Sequence, residues 1–352
     1  MSQANNHLVI LTPGFPADEN DSPCLPMQQQ LVRQLQRTTP LLHISVLTLQ
    51  YPYYKSTYNW NGIAVASFDG QNKGGIPRLL LRRKLKNVLE EMHAQHPINA
   101  ILSFWYGECA WVGESFSKKH GTKHVCWILG QDAKKENRYP GRMKPEPSSL
   151  AALSDFIQDE FEKNHNVRPG TVLMPGVEVI QQSNSTLLRD IDLLATGSLI
   201  PLKQFDIFVE VVAGLKNKFP SLRAMLIGDG PERERLEQLI QEKGLKETIT
   251  LTGELPHSDV LKQMARARVF IHPSAYEGFG VVCMEALAAG SEVISFVKPM
   301  KREISNWHIV QNRQDMIQKA YELLSTPNKS GSPVIVSTIE ETANTFRMLL
   351  GI

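Results

Sequence analysis

A rhythm in the sequence leaves this chain few folds to choose from. Short apolar runs, LVILT at 8–12, HISVLTL at 43–49, AILSFW at 100–105 and HVCWILG at 124–130, alternate with stretches of helical period such as 26–36 and 78–93. Unbroken apolar runs suit strands buried on both faces, and the helices between them are the crossovers that parallel strands need. The pattern stops over VLMPGVEVIQQSNSTLLRD (172–190), a polar stretch with a Pro-Gly turn and neither period, which reads as a linker. It restarts at LLATGSL (193–199), RAMLIGDG (223–230), ITLTG (249–253), VFIHPS (269–274) and EVISFV (292–297). The expectation is an α/β protein with two Rossmann-like domains, residues 1–175 and 190–337, their parallel sheets facing a central cleft. A chain of 352 residues with 42% hydrophobic content can fill two such cores. The final segment, 338–352, has apolar residues on one side and is expected to pack back on the first domain.

Composition excludes more than it assigns. With 38 basic against 36 acidic residues there is no global pull toward nucleic acid, so an anion site must be local. MSQANNHLVILTPGF lacks a basic n-region and reads as a first strand, not a secretion signal. No stretch approaches the roughly 20 apolar residues needed to cross a bilayer. Cys24, Cys109, Cys126 and Cys283 form no C-x-x-C pair, which fits a reducing, cytoplasmic setting. Of the ten histidines only His120 and His124 stand at H-x-x-x-H spacing, across a Gly121 that interrupts a helical face, and no metal site is expected.

Ligands of parallel sheets bind at the carboxyl ends of strands, where Gly14, Gly130, Gly197, Gly228, Gly253 and Gly278 fall. The most informative segment is HPSAYEGFGVVCMEALAAG (272–290). Gly278, Phe279 and Gly280 stand at the mouth of a helix, where free backbone amides suit a phosphate or sugar hydroxyls. Glu277 and Glu285 are eight positions apart, slightly over two helical turns, so both can address one elongated ligand. The alternative is that Glu285 is a first-turn acid favoured by the helix dipole and Gly280 only permits a turn. GDG at 228–230 lacks the third glycine of a dinucleotide fingerprint and reads as a turn. Asp190 and Asp192 form a D-x-D in the linker, and His272 reads as a satisfied core histidine.

E-G-F-G-x4-E followed by A-L-A-A-G closely resembles the E-x7-E signature of retaining family 4 (group 1) glycosyltransferases of the GT-B fold. IGDGPERERLEQLI, ITLTGEL, DVLKQMARARVFIHPS and the G-x-L-x-x-x-K of Gly197–Lys203 follow the family's order, while the first half matches more loosely through PGFP at Gly14 and LGQD at Asp132. The resemblance implies transfer of a hexose from a UDP- or GDP-sugar, with no cofactor or metal, to a glycan, lipid-linked or other hydroxyl. Lys203 would contact the donor diphosphate, Glu277 the transferred sugar, Glu285 the ribose, and the amides of Gly278, Phe279 and Gly280 would cradle sugar and phosphate. Gly14 would lie near acceptor or phosphate.

The chain departs from the family at three places. Ser198 stands where an arginine usually accompanies the lysine. The usual Gly-Gly gives way to the basic run KPMKRE, in which Lys298, Lys301 or Arg302 is a candidate replacement charge beside Glu303. Leu129 replaces a histidine, leaving Asp132 either to orient the sugar or simply to cap the following turn. The basic segment 76–92 reads either as a surface helix with its charges in water or as a contact with an anionic membrane, which would place the protein on the inner face. The rival functional readings are a donor-binding scaffold without turnover and an NAD-dependent oxidoreductase.

Overall fold

A computed structural model describes residues 6–178, 189–327 and 331–352. The strands are β1 His7–Gly14, β2 His43–Tyr51, β3 Lys55–Trp60, β4 Ile63–Phe68, β5 Ala100–Phe104, β6 Lys123–Ile128, β7 Leu150–Ala152, β8 Thr171–Val172, β9 Ile191–Thr196, β10 Ala224–Ile227, β11 Ile249–Leu251, β12 Ala267–His272, β13 Glu292–Ser295 and β14 Trp307–Ile309. The helices are α1 Pro26–Thr38, α2 Gly75–Gln95, α3 Glu108–His120, α4 Tyr139–Met143, α5 Asp155–His165, α6 Phe205–Lys216, α7 Arg233–Glu242, α8 His257–Arg266, α9 Val281–Ala288, α10 Arg313–Ser325 and α11 Ile339–Leu350. Two compact units result, Met1–Gly176 with Ser337–Ile352, and Val177–Val336. Most of the linker read from the sequence, 179–188, lies outside the described residues.

The first unit carries an eight-stranded sheet in the order β3-β4-β2-β1-β5-β6-β7-β8, parallel except where β3 runs antiparallel to β4. β1 is central, paired with β2 and β5, and Leu8 to Leu11 are wholly buried, as its unbroken apolar run requires. The β3–β4 hairpin is an addition to the expected βαβ pattern. It turns on Asn61-Gly62, both at positive φ, and its outer strand alternates exposed with half-buried residues up to the buried Trp60. α11 belongs to this unit. Thr338 and Glu341 close a capping box at its start, Phe346 meets the Trp127 ring edge-on at 5.0 Å, and the Thr342 hydroxyl donates to the Met174 carbonyl.

The second unit holds a six-stranded sheet in the order β11-β10-β9-β12-β13-β14, all parallel. Phe208, Val209 and Val212 of α6 and Met316 of α10 pack on Leu193, Leu226 and Ile271 of the strands in one apolar core. β9 begins at Ile191, so the D-x-D is not linker. Asp192 lies within the strand, paired with Arg268 at 3.3 Å and accepting from the Arg223 amide. Asp190 takes a two-pronged ion pair with Arg266. Each carboxylate is held by its own arginine.

Candidate functional site

In the second sheet the strand order reverses between β9 and β12, so the loops after these two strands leave in opposite directions and open a crevice at the carboxyl edge. Lys203 comes from the first loop and Glu277 from the second. A one-turn 3-10 helix, Pro201–Lys203, precedes α6, with Gln204 in the left-handed region at φ 49°. The Ala275 amide and the Ser274 hydroxyl both donate to the Leu202 carbonyl, tying the two loops together beside the pair. The Lys203 ammonium then meets Glu277 Oε1 at 2.5 Å, and His272 Nε2 meets the same oxygen at 3.1 Å.

Burial alone would raise the Glu277 pKa, but His272 and Lys203 together hold it at about 2, so this carboxylate is ionised across the physiological range. His272 is 1% exposed. It lies in the core as the sequence suggested, but it is not satisfied: Nε2 must carry the hydrogen to reach Glu277, and Nδ1 is buried without a partner. Five residues separate the two, but only the path of the loop after β12 brings the carboxylate back to the ring, and no residue pattern signals that.

Behind this pair the loops after β9, β10 and β11 approach backbone to backbone. A Cβ on Gly228 would lie 2.0 Å from the Gly197 carbonyl oxygen, and one on Gly230 2.6 Å from that of Leu199, while the Gly228 amide donates to Gly253. The GDG glycines are therefore close-approach positions. Ser198, beside Gly197, is exposed and brings no charge. Arg233 at this sheet end is paired with Asp229 and Glu237.

The turn before α9 departs from the sequence reading in two respects. α9 starts at Val281, so Glu277 is in the loop and the two carboxylates are not two turns apart on one helix. Glu285 sits in the second turn of α9, not the first, and accepts from His257 Nε2 at 2.8 Å. The grouping is nevertheless real: the buried Cys283 thiol, pushed up first by burial, feels Glu277, Lys203 and Glu285 together. Phe279 is 1% exposed and packs on Trp307, so its ring belongs to the core and only its backbone can serve a ligand. Gly280 caps α9 at φ 85°, a conformation that glycine adopts without strain, and Gly278 is buried beside it. The N-terminal amides of α9 point out of its first turn here.

The basic loop adjoins this turn. Lys298, Arg302, Glu303, Asn306, Trp307 and His308 line a cavity of about 570 Å³, and Trp307 stands 3.7 Å from where a Cβ on Gly280 would be.

The first sheet reverses between β1 and β5. Gly14 ends β1 opposite Tyr51, in ordinary backbone geometry with room for a Cβ. After β5, Trp105 sits at φ 61°, a strained position for a bulky residue that the sequence did not single out. The Asp132 carboxylate accepts from the amides of Leu129, Gly130 and Tyr106 and is 8% exposed. These donors all precede Asp132 in the chain and the N-cap of its own 3-10 turn is Gly130, so the carboxylate braces the loops after β5 and β6 and does not cap the following turn. Burial raises its pKa to about 6 despite those amides.

Residues 178–330 match the family of group 1 glycosyl transferases. The gpi3 subunit of phosphatidylinositol N-acetylglucosaminyltransferase from Schizosaccharomyces pombe is 33% identical over 93 residues, 26% of this chain and 20% of that protein. The 2-deoxystreptamine N-acetyl-D-glucosaminyltransferase of Niallia circulans is 29% identical over 154 residues, 44% of this chain and 37% of its own. The matched segments thus span well under half of these relatives. A solved sucrose-phosphate synthase from Thermosynechococcus elongatus has the same fold over 98% of this chain and 94% of its own, at a TM-score of 0.69 and 19% identity. The architecture is GT-B.

Proposed function

We propose that this chain is a retaining glycosyltransferase that moves a hexose from a nucleoside-diphosphate sugar to a hydroxyl of a glycan or lipid-linked acceptor, without a metal ion. The observation that carries the reading is the Lys203–Glu277 pair at the β9/β12 reversal, inside the segment that matches the group 1 family. The donor diphosphate takes the place of Glu277 on Lys203 and lies against the amides at the start of α9, where developing negative charge is stabilised. Glu277, already ionised and still held by His272, accepts hydroxyls of the sugar. Glu285 accepts the ribose diol while His257 fixes its orientation. The acceptor oxygen attacks the anomeric carbon from the face that the diphosphate leaves, and the departing phosphate takes the proton, so no dedicated protein base is needed. Lys298, Lys301 and Arg302 supply the charge that Ser198 does not.

The names of the relatives make UDP-N-acetylglucosamine the first donor to try, beside UDP- and GDP-hexoses. The test is a thermal-shift panel with and without EDTA on wild type and Glu285→Ala, followed by nucleotide release on any hit. Saturation at 100 times Kd stabilises by about 2.7 kcal/mol. A shift that survives EDTA and is lost in the variant supports the reading. A shift without turnover on any acceptor makes the chain a donor-binding scaffold, and no shift removes the proposal.

A further inference from the structure

We infer that the outer face of α2 is a docking surface for an anionic lipid membrane. α2 carries two apolar sets. Leu81, Leu85, Val88, Leu89 and Met92 face the core of the first unit, with Leu85 and Leu89 wholly buried. Ile76, Leu79 and Leu80 lie roughly 180° around the axis from that stripe at 3.6 residues per turn. They are 72%, 60% and 62% exposed, and every residue from 71 to 80 is exposed. Three large aliphatic side chains on one outward face are not explained by packing among the described residues.

The charges sort in the same way. Between residues 70 and 89 there are six cations, Lys73, Arg78, Arg82, Arg83, Lys84 and Lys86, and no acid. Arg78 and Arg82 turn toward α3, where both pair with Glu108. By the same helical geometry Arg83 falls among the outward aliphatics, with Lys84 and Lys86 at the two edges of that face. Arg83 and Lys84 are exposed, the latter with its ammonium 5.8 Å from the Phe68 ring, and Lys86 is partly covered. Over the N-terminal part of α2 an aliphatic centre with a basic border and no acid fits an anionic headgroup layer: the side chains enter the acyl boundary while the cations meet lipid phosphate. The acids Glu90 and Glu91 come only at the far end of the helix, where Glu90 is paired with Lys119 and His120. The Asn72 amide donates to Gln50 Oε1, anchoring the start of α2 beside the end of β2, from which exposed Tyr53 and Tyr54 follow. Tyrosine suits that interface.

The experiment is flotation of the full chain with phosphatidylcholine vesicles with and without phosphatidylglycerol. Wild type is expected to float only with the anionic vesicles, less as salt rises. Ile76→Asp/Leu79→Asp/Leu80→Asp should stay in solution, and Arg83→Gln/Lys84→Gln/Lys86→Gln should lose partitioning by about fivefold per cation removed. All six residues lie outside the donor site, so an unchanged donor-induced thermal shift in these variants separates this inference from the proposed activity. Wild type that ignores anionic vesicles, or an aspartate variant that floats as wild type does, overturns it. So does gel filtration in which the aspartate variant only converts a dimer to a monomer, which would assign the face to a second copy of the chain.

Discussion

The two sheets reverse strand order in the same way, β9 against β12 in one unit and β1 against β5 in the other, yet the two carboxyl edges are built differently. At the first, glycines let three loops touch through their backbones, and a partly buried carboxylate is held ionised by a lysine and a histidine. At the second, Gly14 has room for a side chain, Trp105 takes the strained backbone position, and the buried carboxylate sees only amides. Glu277 and Asp132 thus leave their ordinary values in opposite directions, to about 2 and about 6: burial pushes both up, but His272 and Lys203 outweigh it at Glu277, while backbone amides alone do not at Asp132. A fold supplies the crevice. What fills it decides whether that crevice handles charge.

The largest test of this contrast is Lys203→Ala. If the β9/β12 edge carries the transition-state charge, donor turnover measured by nucleotide release should fall on the order of 10²–10³-fold. A drop below tenfold would move the chemistry elsewhere.

The next test uses pH. Asp132 holds its proton more tightly folded than unfolded, so its contribution is complete below pH 4 and is lost as pH rises through about 6, on the order of 3 kcal/mol. Glu277 behaves oppositely: its contribution is present above the ordinary glutamate value and is lost as pH falls toward about 2. Denaturant midpoints across pH should therefore lose the slope between pH 4 and 6 in Asp132→Asn and the slope below pH 4.5 in Glu277→Gln, each without touching the other. A variant that keeps its slope breaks the assignment.

A smaller effect separates the glycines. Gly280→Ala forces a side chain into φ 85° and should destabilise by about 1–3 kcal/mol, whereas Gly14→Ala, with its nearest neighbours at 3.6 and 3.7 Å, should stay within about 0.5 kcal/mol. Equal losses in urea melts would erase the difference between the two edges.

The α/β alternation and the Glu277–Gly280 turn were legible because both are local: apolar runs of one strand length, and glycines required within a few residues of a helix start. What stayed hidden is non-local or short. Lys203 and Glu277 are 74 positions apart and His257 and Glu285 28, so no spacing shows that they touch. β7, β8 and β14 have only two or three residues, too few to show a period. The β3–β4 hairpin was signalled by Asn61-Gly62, but its alternating polar edge does not look like the buried strands around it. The sequence of 76–92 leaves open a surface helix with its charges in water and a contact with an anionic membrane. The exposed face of α2 is in fact aliphatic at the N-terminal end, because the core reaches only as far as Leu81 and Leu85.

The return of α11 to the first unit sets an order on biosynthesis. Residues 6–176 leave the ribosome long before their partner helix exists, so the pocket over Trp127 that Phe346 fills stays open while the whole second unit is translated. The second unit can complete its core as soon as residue 336 is clear, and the first cannot until residue 350 has been made. The part synthesised first is the part that finishes last, and a chain stalled or clipped anywhere in the final helix carries its defect at the opposite end of the sequence.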